Sequence, residues 1–304
     1  MITVEKILVP TDFSESSREA LCYAGALAER YKSKVLLLHV MESDMMEPLR
    51  AIEGGQNLTT KLKTDREQYL KNLMKLDEVA GIEVESRIVE GPPAYEIVEA
   101  AEDYGADLIT IGTQGLTGPQ RVFFGSVAEQ VVRTSPIPVL TVRCPEHGFV
   151  DCTIGRRHVM GLKNILVPTD FSEASAYAAR YAIALAGEYS ARLHLLHVVS
   201  ISATGRNKES LESEAMVEAQ KAIEKFMEDR LAGLEVVRDV KAGTPFQEIV
   251  GEARKREADL IVTGTHGRTF LKYALLGSVS SKVVRKAPCP VLSVKHPKHK
   301  FERP

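Results

Sequence analysis

The sequence predicts an α/β protein built from two tandem, doubly wound, five-stranded parallel sheets. Three observations carry this. The chain has 304 residues, beyond the size at which a single hydrophobic core stops growing, so two domains are expected. The stretch KILVPTDFSE at 6–15 returns as NILVPTDFSE at 164–173, a spacing of 158. Within each half, short β-branched apolar runs alternate with amphipathic stretches of helical period, which calls for helical crossovers between parallel strands.

In the first half the strands are expected at ILVP near 7, KVLLLHV near 34, IEVESRIVE near 82, DLITIG near 107 and PVLTV near 138. Helices are expected near 16–31, 59–80, 93–104 and 125–134, with Leu21, Ala24, Leu27 and Ala28 at three- and four-residue spacing on the first. The second half repeats the order. His39-Val40 returns as His197-Val198 at the spacing of 158, whereas EGPPAYEIVEA returns as AGTPFQEIVGE at a spacing of 152 from Gly91 to Gly243. The six-residue difference falls between Val40 and Gly91, where MESDMMEPLRAIEGGQN reads as a loop of variable length. Domain bounds follow as 1–144 and 161–297, with a linker at 145–160 and a basic tail at 298–304 that reads as solvated.

Composition narrows the function classes. With 44% hydrophobic and 26% charged residues the chain is of ordinary globular type, and no apolar run approaches the ~20 residues that span a bilayer. The amino terminus MITVEKILVPTDF carries no signal or lipidation pattern, so a cytoplasmic location is expected. A net charge of −2 with interspersed signs gives no footprint for nucleic acid. Four cysteines in so long a chain make no secreted-type disulfide framework, and Cys22 and Cys289 are expected to be buried free thiols.

Ligands of doubly wound sheets bind beyond the carboxyl ends of the strands, where the winding reverses. Pro10-Thr11-Asp12 follows the first strand and Gly112 to Gly115 follows the fourth. A site using both requires these strands to be neighbours, hence the strand order 3-2-1-4-5. The frame Gly-x2-Gly-x9-Gly-Ser occurs at Gly112, Gly115, Gly125 and Ser126, and again at Gly264, Gly267, Gly277 and Ser278. Gly125-Ser126 opens a helix whose unpaired N–H groups suit an anion, with the serine hydroxyl as a further donor. Neither the Walker spacing nor the dinucleotide GxGxxG is present. Each piece also has a structural reading: the glycines as loop punctuation, Gly125-Ser126 as a helix cap, Asp12 as the N-cap of a helix beginning near Ser14. The repeat leaves both readings open.

Taken together, ILVPTDFS, the LLHV second strand and the glycine frame resemble the universal stress protein family, in its ATP-binding class, over almost the whole chain as two tandem copies. The resemblance implies a Rossmann-like fold of the adenine nucleotide alpha hydrolase type, binding ATP or AMP. It implies that Asp12 contacts the ribose, the backbone of Val40 the adenine, and Gly112, Gly115, Gly125, Ser126 and Val127 the phosphates. The second site would use Asp170, Val198, Gly264, Gly267, Gly277, Ser278 and Val279, with Pro10-Thr11 and Pro168-Thr169 walling the two adenine pockets. Gln114 and His266 occupy the same position in the two copies, and His266 either stands near the phosphates or a divalent ion such as Mg or Mn or is an exposed loop histidine without function. The family's dimerisation through the last strand implies pairing of 136–142 with 289–294 within the chain, and a homodimer of chains beyond that is compatible with it.

The linker RCPEHGFVDCTIGRRHVMGLKN holds Cys144, His147, Cys152 and His158, either a tetrahedral zinc set or unliganded side chains. Three function classes stand: a nucleotide-binding regulatory protein, a slow ATPase or phosphotransferase, and an interaction module that no longer binds ligand. The sequence shows no positioned general base and no kinase signature, and both glycine frames are intact, which favours the first.

Overall fold

The computed structural model describes residues 3–113, 125–143, 146–152, 158–159, 161–200, 208–265 and 277–297. These pack as two compact units, one containing 3–143 with the segment from 150 to 159, the other containing 146–149 with 161–297.

In the first unit the chain runs β1 (Lys6–Pro10), α1 (Glu15–Tyr31), β2 (Lys34–Met41), α2 (Ser43–Ala51), α3 (Gly55–Leu73), a 3-10 turn at Asp77–Val79, β3 (Val84–Glu90), α4 (Pro93–Tyr104), β4 (Leu108–Gly112), α5 (Ser126–Thr134) and β5 (Val139–Val142). A two-residue antiparallel pair, β6 (Val150–Asp151) with β7 (His158–Val159), also belongs to this unit. The second unit runs β8 (Asn164–Pro168), α6 (Glu173–Tyr189), β9 (Arg192–Val199), α7 (Lys208–Lys225), a 3-10 turn at Glu228–Arg230, β10 (Val236–Ala242), α8 (Pro245–Lys255), β11 (Leu260–Gly264), α9 (Ser278–Lys286) and β12 (Val291–Val294).

Among the five main strands of each unit pairing is parallel, in the order β3-β2-β1-β4-β5 and β10-β9-β8-β11-β12. The 3-2-1-4-5 order expected from the two strand-end segments is therefore present twice. Central strands covered on both faces must be apolar at consecutive positions. Ile7, Leu8 and Val9 and the run Val35 to Leu38 are fully buried, as are Ile165 and Val167 in the second copy. In the first unit α1 packs on the 3-10 turn and α4 packs on α5, the two sets lying against the sheet. Arg18 of α1 donates to the buried Glu78 at 2.7 Å, which fastens that turn.

Local signals explain the helix bounds. Ser14 and Ser172 cap α1 and α6, each accepting from an N–H three residues on at 3.2 Å. Pro93 and Pro245 stand in the first turns of α4 and α8, where proline loses no bond. The segment expected to be a loop before Gly91 instead contains α2, which accommodates Pro48 within its nine residues. Proline disfavours a helix interior, so local pattern argued against this element; its packing against α3 outweighs that preference.

Two expectations for the cysteines divide. Cys289 is a buried free thiol, its pKa pushed up by desolvation. Cys22 is not free: it forms a disulfide with Cys152, across a sequence separation of 130 and a Cα–Cα distance of 6.1 Å. This bond ties α1 to the segment after β6.

Gly112 shows why β4 ends as it does. A Cβ at this position would stand 2.5 Å from the carbonyl oxygen of Ser16, in the first turn of α1; at Gly264 the matching distance, to Ala174 O, is 3.0 Å. Helix and strand approach here more closely than any side chain permits. Gly112→Ala is expected to lower stability by about 1–3 kcal/mol and Gly264→Ala by less, measured as shifts of urea midpoints at constant m; equal shifts, or none, would remove close approach as the cause.

Candidate functional site

The site begins with the turn that follows β1. Thr11 is 7% exposed, and each of its polar groups is engaged. Its N–H donates to Leu38 O at 2.8 Å, its carbonyl lies 2.8 Å from His39 Nδ1, its hydroxyl accepts from Phe13 N–H at 3.0 Å and lies 3.0 Å from the Ser17 hydroxyl. A carbonyl only accepts, so His39 carries its proton on Nδ1. Burial holds the pKa of His39 below the ordinary imidazole value, with Arg66 adding to the effect and the Thr11 carbonyl opposing it.

The turn forces Phe13 into the left-handed region at φ 67°, costly for an aromatic residue. Its ring packs 4.6 Å from that of His39 and 5.3 Å from that of Tyr69, and Arg66 lies over it at 5.4 Å. Asp12 is half-buried at the crest and accepts the Ser14 N–H at 3.0 Å. The cap of α1 is thus Ser14, with Asp12 bracing it from outside the helix. The second copy repeats the assembly: Thr169 hydroxyl to Ser175 hydroxyl 3.1 Å, His197 Nδ1 to Thr169 O 2.7 Å, Phe171 at φ 62°, and Asp170 accepting the Ser172 N–H at 3.1 Å. Its ring partner beyond His197 is Phe226.

The second strand supplies an open backbone edge. Leu38 is the last residue of β2 in register with β1, opposite Pro10. Alternate residues of a strand present N–H and C=O to the same side. Lys34 and Leu38 bond toward β1, whereas Val35 and Met41 bond toward β3 or its continuation. Val40 therefore directs its N–H and C=O to the β1 side, two residues past the end of β1. In the second copy Arg192 and Leu196 bond toward β8, and Val198 stands past Pro168 in the same way.

The fourth strand supplies the third wall. Thr113 follows Gly112, and its carbonyl accepts the Gly125 N–H at 2.8 Å, which brings the start of α5 back to the end of β4; Gly277 and Thr265 do the same at 2.9 Å. Neither helix has a side-chain cap at its N-terminus. Ser126 and Ser278 are exposed, Val127 and Val279 half-buried. Gly125 has an ordinary backbone at φ −62°, and among the described residues a Cβ there would meet the backbone carbonyl of Thr113, its oxygen at 3.3 Å. In the second copy Ser280 adds a bond from α9 to Gly264 O at 2.8 Å.

The structure thus gathers Pro10, Thr11, Asp12, Val40, Gly112, Gly125, Ser126 and Val127 at one end of the first sheet, and Pro168, Thr169, Asp170, Val198, Gly264, Gly277, Ser278 and Val279 at the same end of the second. Gln114, Gly115, His266 and Gly267 lie outside the described residues. His39, Phe13 and their counterparts His197 and Phe171 were not assigned a role from sequence, although each recurs at the spacing of 158 that picked out Val40 and Asp12.

The linker does not form the expected four-ligand zinc set. Cys152 is bonded to Cys22, and a cystine sulfur is no thiolate ligand. Cys144 and the side chain of His158 lie outside the described residues. His147 belongs with the second unit, where its N–H and that of Glu146 reach Pro288 O. Among the described residues no group of three or more metal-ligating side chains is present. No described helix is long and apolar enough to cross a membrane.

A tandem α/β protein with a strand-end crevice in each copy is the class these features define. The chain belongs to the universal stress protein family, whose model matches residues 3–143 and 161–295. It is similar to a universal stress protein of Methanocaldococcus jannaschii, 37% identical over 142 residues that cover 47% of this chain and 84% of that protein. A universal stress protein of Mycolicibacterium smegmatis is 26% identical over 301 residues, covering 95% of this chain and 96% of the other. The crystal structure of a universal stress protein from Archaeoglobus fulgidus shares the fold, with a TM-score of 0.67 at 24% identity over 97% of this chain and 99% of that one.

His39→Leu removes the donor to a buried carbonyl and is expected to cost about 1–3 kcal/mol. Because the folded pKa of His39 is depressed, the wild type loses stability as pH falls below the ordinary imidazole value of about 6.5, and the variant loses less over that range. Parallel urea titrations at pH 7.5 and 5.5 test this, and an unchanged pH dependence would count against the assignment.

Proposed function

We propose that each copy binds one adenine nucleotide, ATP or AMP, and that the chain acts through its nucleotide state, in a regulatory rather than catalytic role. The observation that carries the proposal is the pairing, in both copies, of an open strand edge at Val40 or Val198 with an uncapped helix start at Ser126 or Ser278. A backbone N–H and C=O side by side match the donor and acceptor edge of adenine. A carboxylate accepts several hydrogen bonds, so Asp12 and Asp170 can bind ribose hydroxyls beside the N–H groups of Ser14 and Ser172. The first-turn N–H groups of α5 and α9, with the hydroxyls of Ser126 and Ser278, would take the phosphates.

A divalent ion such as Mg or Mn fits this scheme as a companion of the phosphates, retaining water and taking few protein ligands. The regulatory reading is supported by the sequence, which shows no positioned general base and no kinase signature.

Mass analysis of nucleotide released on denaturation, followed by titration of emptied protein with ATP, should give up to two adenine nucleotides per chain. Gly125→Val and Gly277→Val should each remove one, because space for Cβ exists but the branched methyls would occupy the phosphate position. Absence of any adenine nucleotide binding would overturn the proposal. Unchanged stoichiometry in both variants would overturn the phosphate assignment.

A further inference from the structure

A cluster of charged side chains on the second unit is unused by the crevice. Arg256, the residue that ends α8, spans three elements with its guanidinium. Nε donates to Glu252 Oε2 on α8 at 2.9 Å, Nη2 donates to Asp239 Oδ2 on β10 at 2.6 Å, and Nη1 lies 3.1 Å from His194 Nδ1 on β9. A guanidinium only donates, so Nδ1 must accept and carry no proton. The proton is on Nε2, which donates to Asn164 Oδ1 on β8 at 3.2 Å. His194 is 3% exposed.

The charges around this contact are otherwise matched. Arg192 pairs with Glu235 at the start of β9, Lys241 of β10 reaches Glu252 and Glu248, and Lys255 lies 3.8 Å from Glu252. Asp259 accepts the backbone N–H groups of Lys163 and Asn164. The first copy is built differently. The constant spacings place Leu36, Arg87, Ala100 and Tyr104 where the second copy has His194, Asp239, Glu252 and Arg256, and the Lys34–Glu83 ion pair that matches Arg192–Glu235 confirms the register.

We propose that the Arg256–His194 contact is an acid-sensitive clamp: protonation of His194 at Nδ1 expels the guanidinium and loosens α8 and β10 from β9 in the second copy alone. The folded site resists that proton, since burial first and the Arg256 charge second hold the His194 pKa at about 4. An opened site takes up the proton near the ordinary value of about 6.5. The clamp is therefore at full strength above that value and weakens as pH falls toward about 4. With one proton linked to opening, protection in this region falls by up to about tenfold per pH unit inside the window. As β9 also carries His197 and Val198, the loosening reaches the second site, and this contact has no counterpart in the first copy.

Hydrogen exchange of the intact chain between pH 7.5 and 5, corrected for intrinsic rates, tests this without any ligand. Residues 192–199 and 236–256 should lose protection with falling pH more steeply than 34–41 and 84–104, which feel only the acid loss that His39 imposes on the first copy. His194→Gln keeps an acceptor for Arg256 and does not titrate, so it should abolish the difference between the copies. Equal loss in both copies, or acid loosening that persists in His194→Gln, would overturn the clamp. Should that variant fold poorly, nitrogen NMR of the unmodified chain decides: a neutral Nε2–H imidazole persisting to pH 5 supports the clamp, and protonation near 6.5 refutes it.

Discussion

The hydrogen-bonded turn at Thr11, and its copy at Thr169, is the constraint on which the rest of each domain depends. One threonine closes bonds to β2 through Leu38, to the His39 ring, and to the first turn of α1 through Ser17. These bonds fix where the first strand ends and where the first helix begins, and they hold Phe13 in a backbone region that costs of order 1–3 kcal/mol. Packing of the Phe13 ring on His39 and Tyr69 offsets part of that cost. The consequence for function is geometric: Asp12 is lifted to the crest, braced at its own oxygen, past the end of a strand that lies between β2 and β4.

The glycines of the repeated frame have different physical causes. At Gly112 the backbone of the neighbouring helix leaves no room for a Cβ, so glycine is demanded by packing whether or not a ligand binds, and at Gly264 a Cβ would push the helix back by a few tenths of an ångström. At Gly125 and Gly277 the backbone is ordinary, and among the described residues a Cβ would meet the carbonyl oxygen of Thr113 or Thr265 at 3.3 and 3.4 Å, a weaker packing demand. In the proposed reading glycine there keeps room for the phosphates. Packing therefore accounts for the glycine at 112, while at Gly125 and Gly277 the proposed phosphate contact is the reading that the valine variants test.

The alternation of strands and helices and the neighbouring of the first and fourth strands were legible because each follows from local periodicity and the chemistry of strand ends. Val40 and Val198 were found through the family resemblance, and register explains them: they are the first β2 and β9 residues facing β1 and β8 with no strand opposite. What escaped the sequence depends on partners distant in the chain. Helix α2 contains Pro48 and is held by α3, so its local signal was wrong in sign. Asp12 looked like a cap, and only the geometry gives that role to Ser14. The Cys22–Cys152 bond joins residues with no shared local pattern, and it reassigns a cysteine that spacing alone had grouped with histidines. His39 stood in a recurring motif, yet its bond to Thr11 O crosses from one strand to the next and leaves no mark in either.

The duplication has preserved the crevice and altered its support. Where the first copy sets Leu36, Arg87, Ala100 and Tyr104, the second sets His194, Asp239, Glu252 and Arg256. The first set has no histidine among its members, whereas a buried network of ions depends on every member remaining paired. Such networks seldom add net stability over an apolar core of equal volume, but losing one partner strands the others at a cost of several kcal/mol. In this proposal the second copy holds its third strand and third crossover helix through a contact that protonation of His194 disturbs, and the first copy has no such contact. Two sites alike in their walls thus differ in what holds those walls together, which gives a single chain two sites with unequal responses to the same change of conditions.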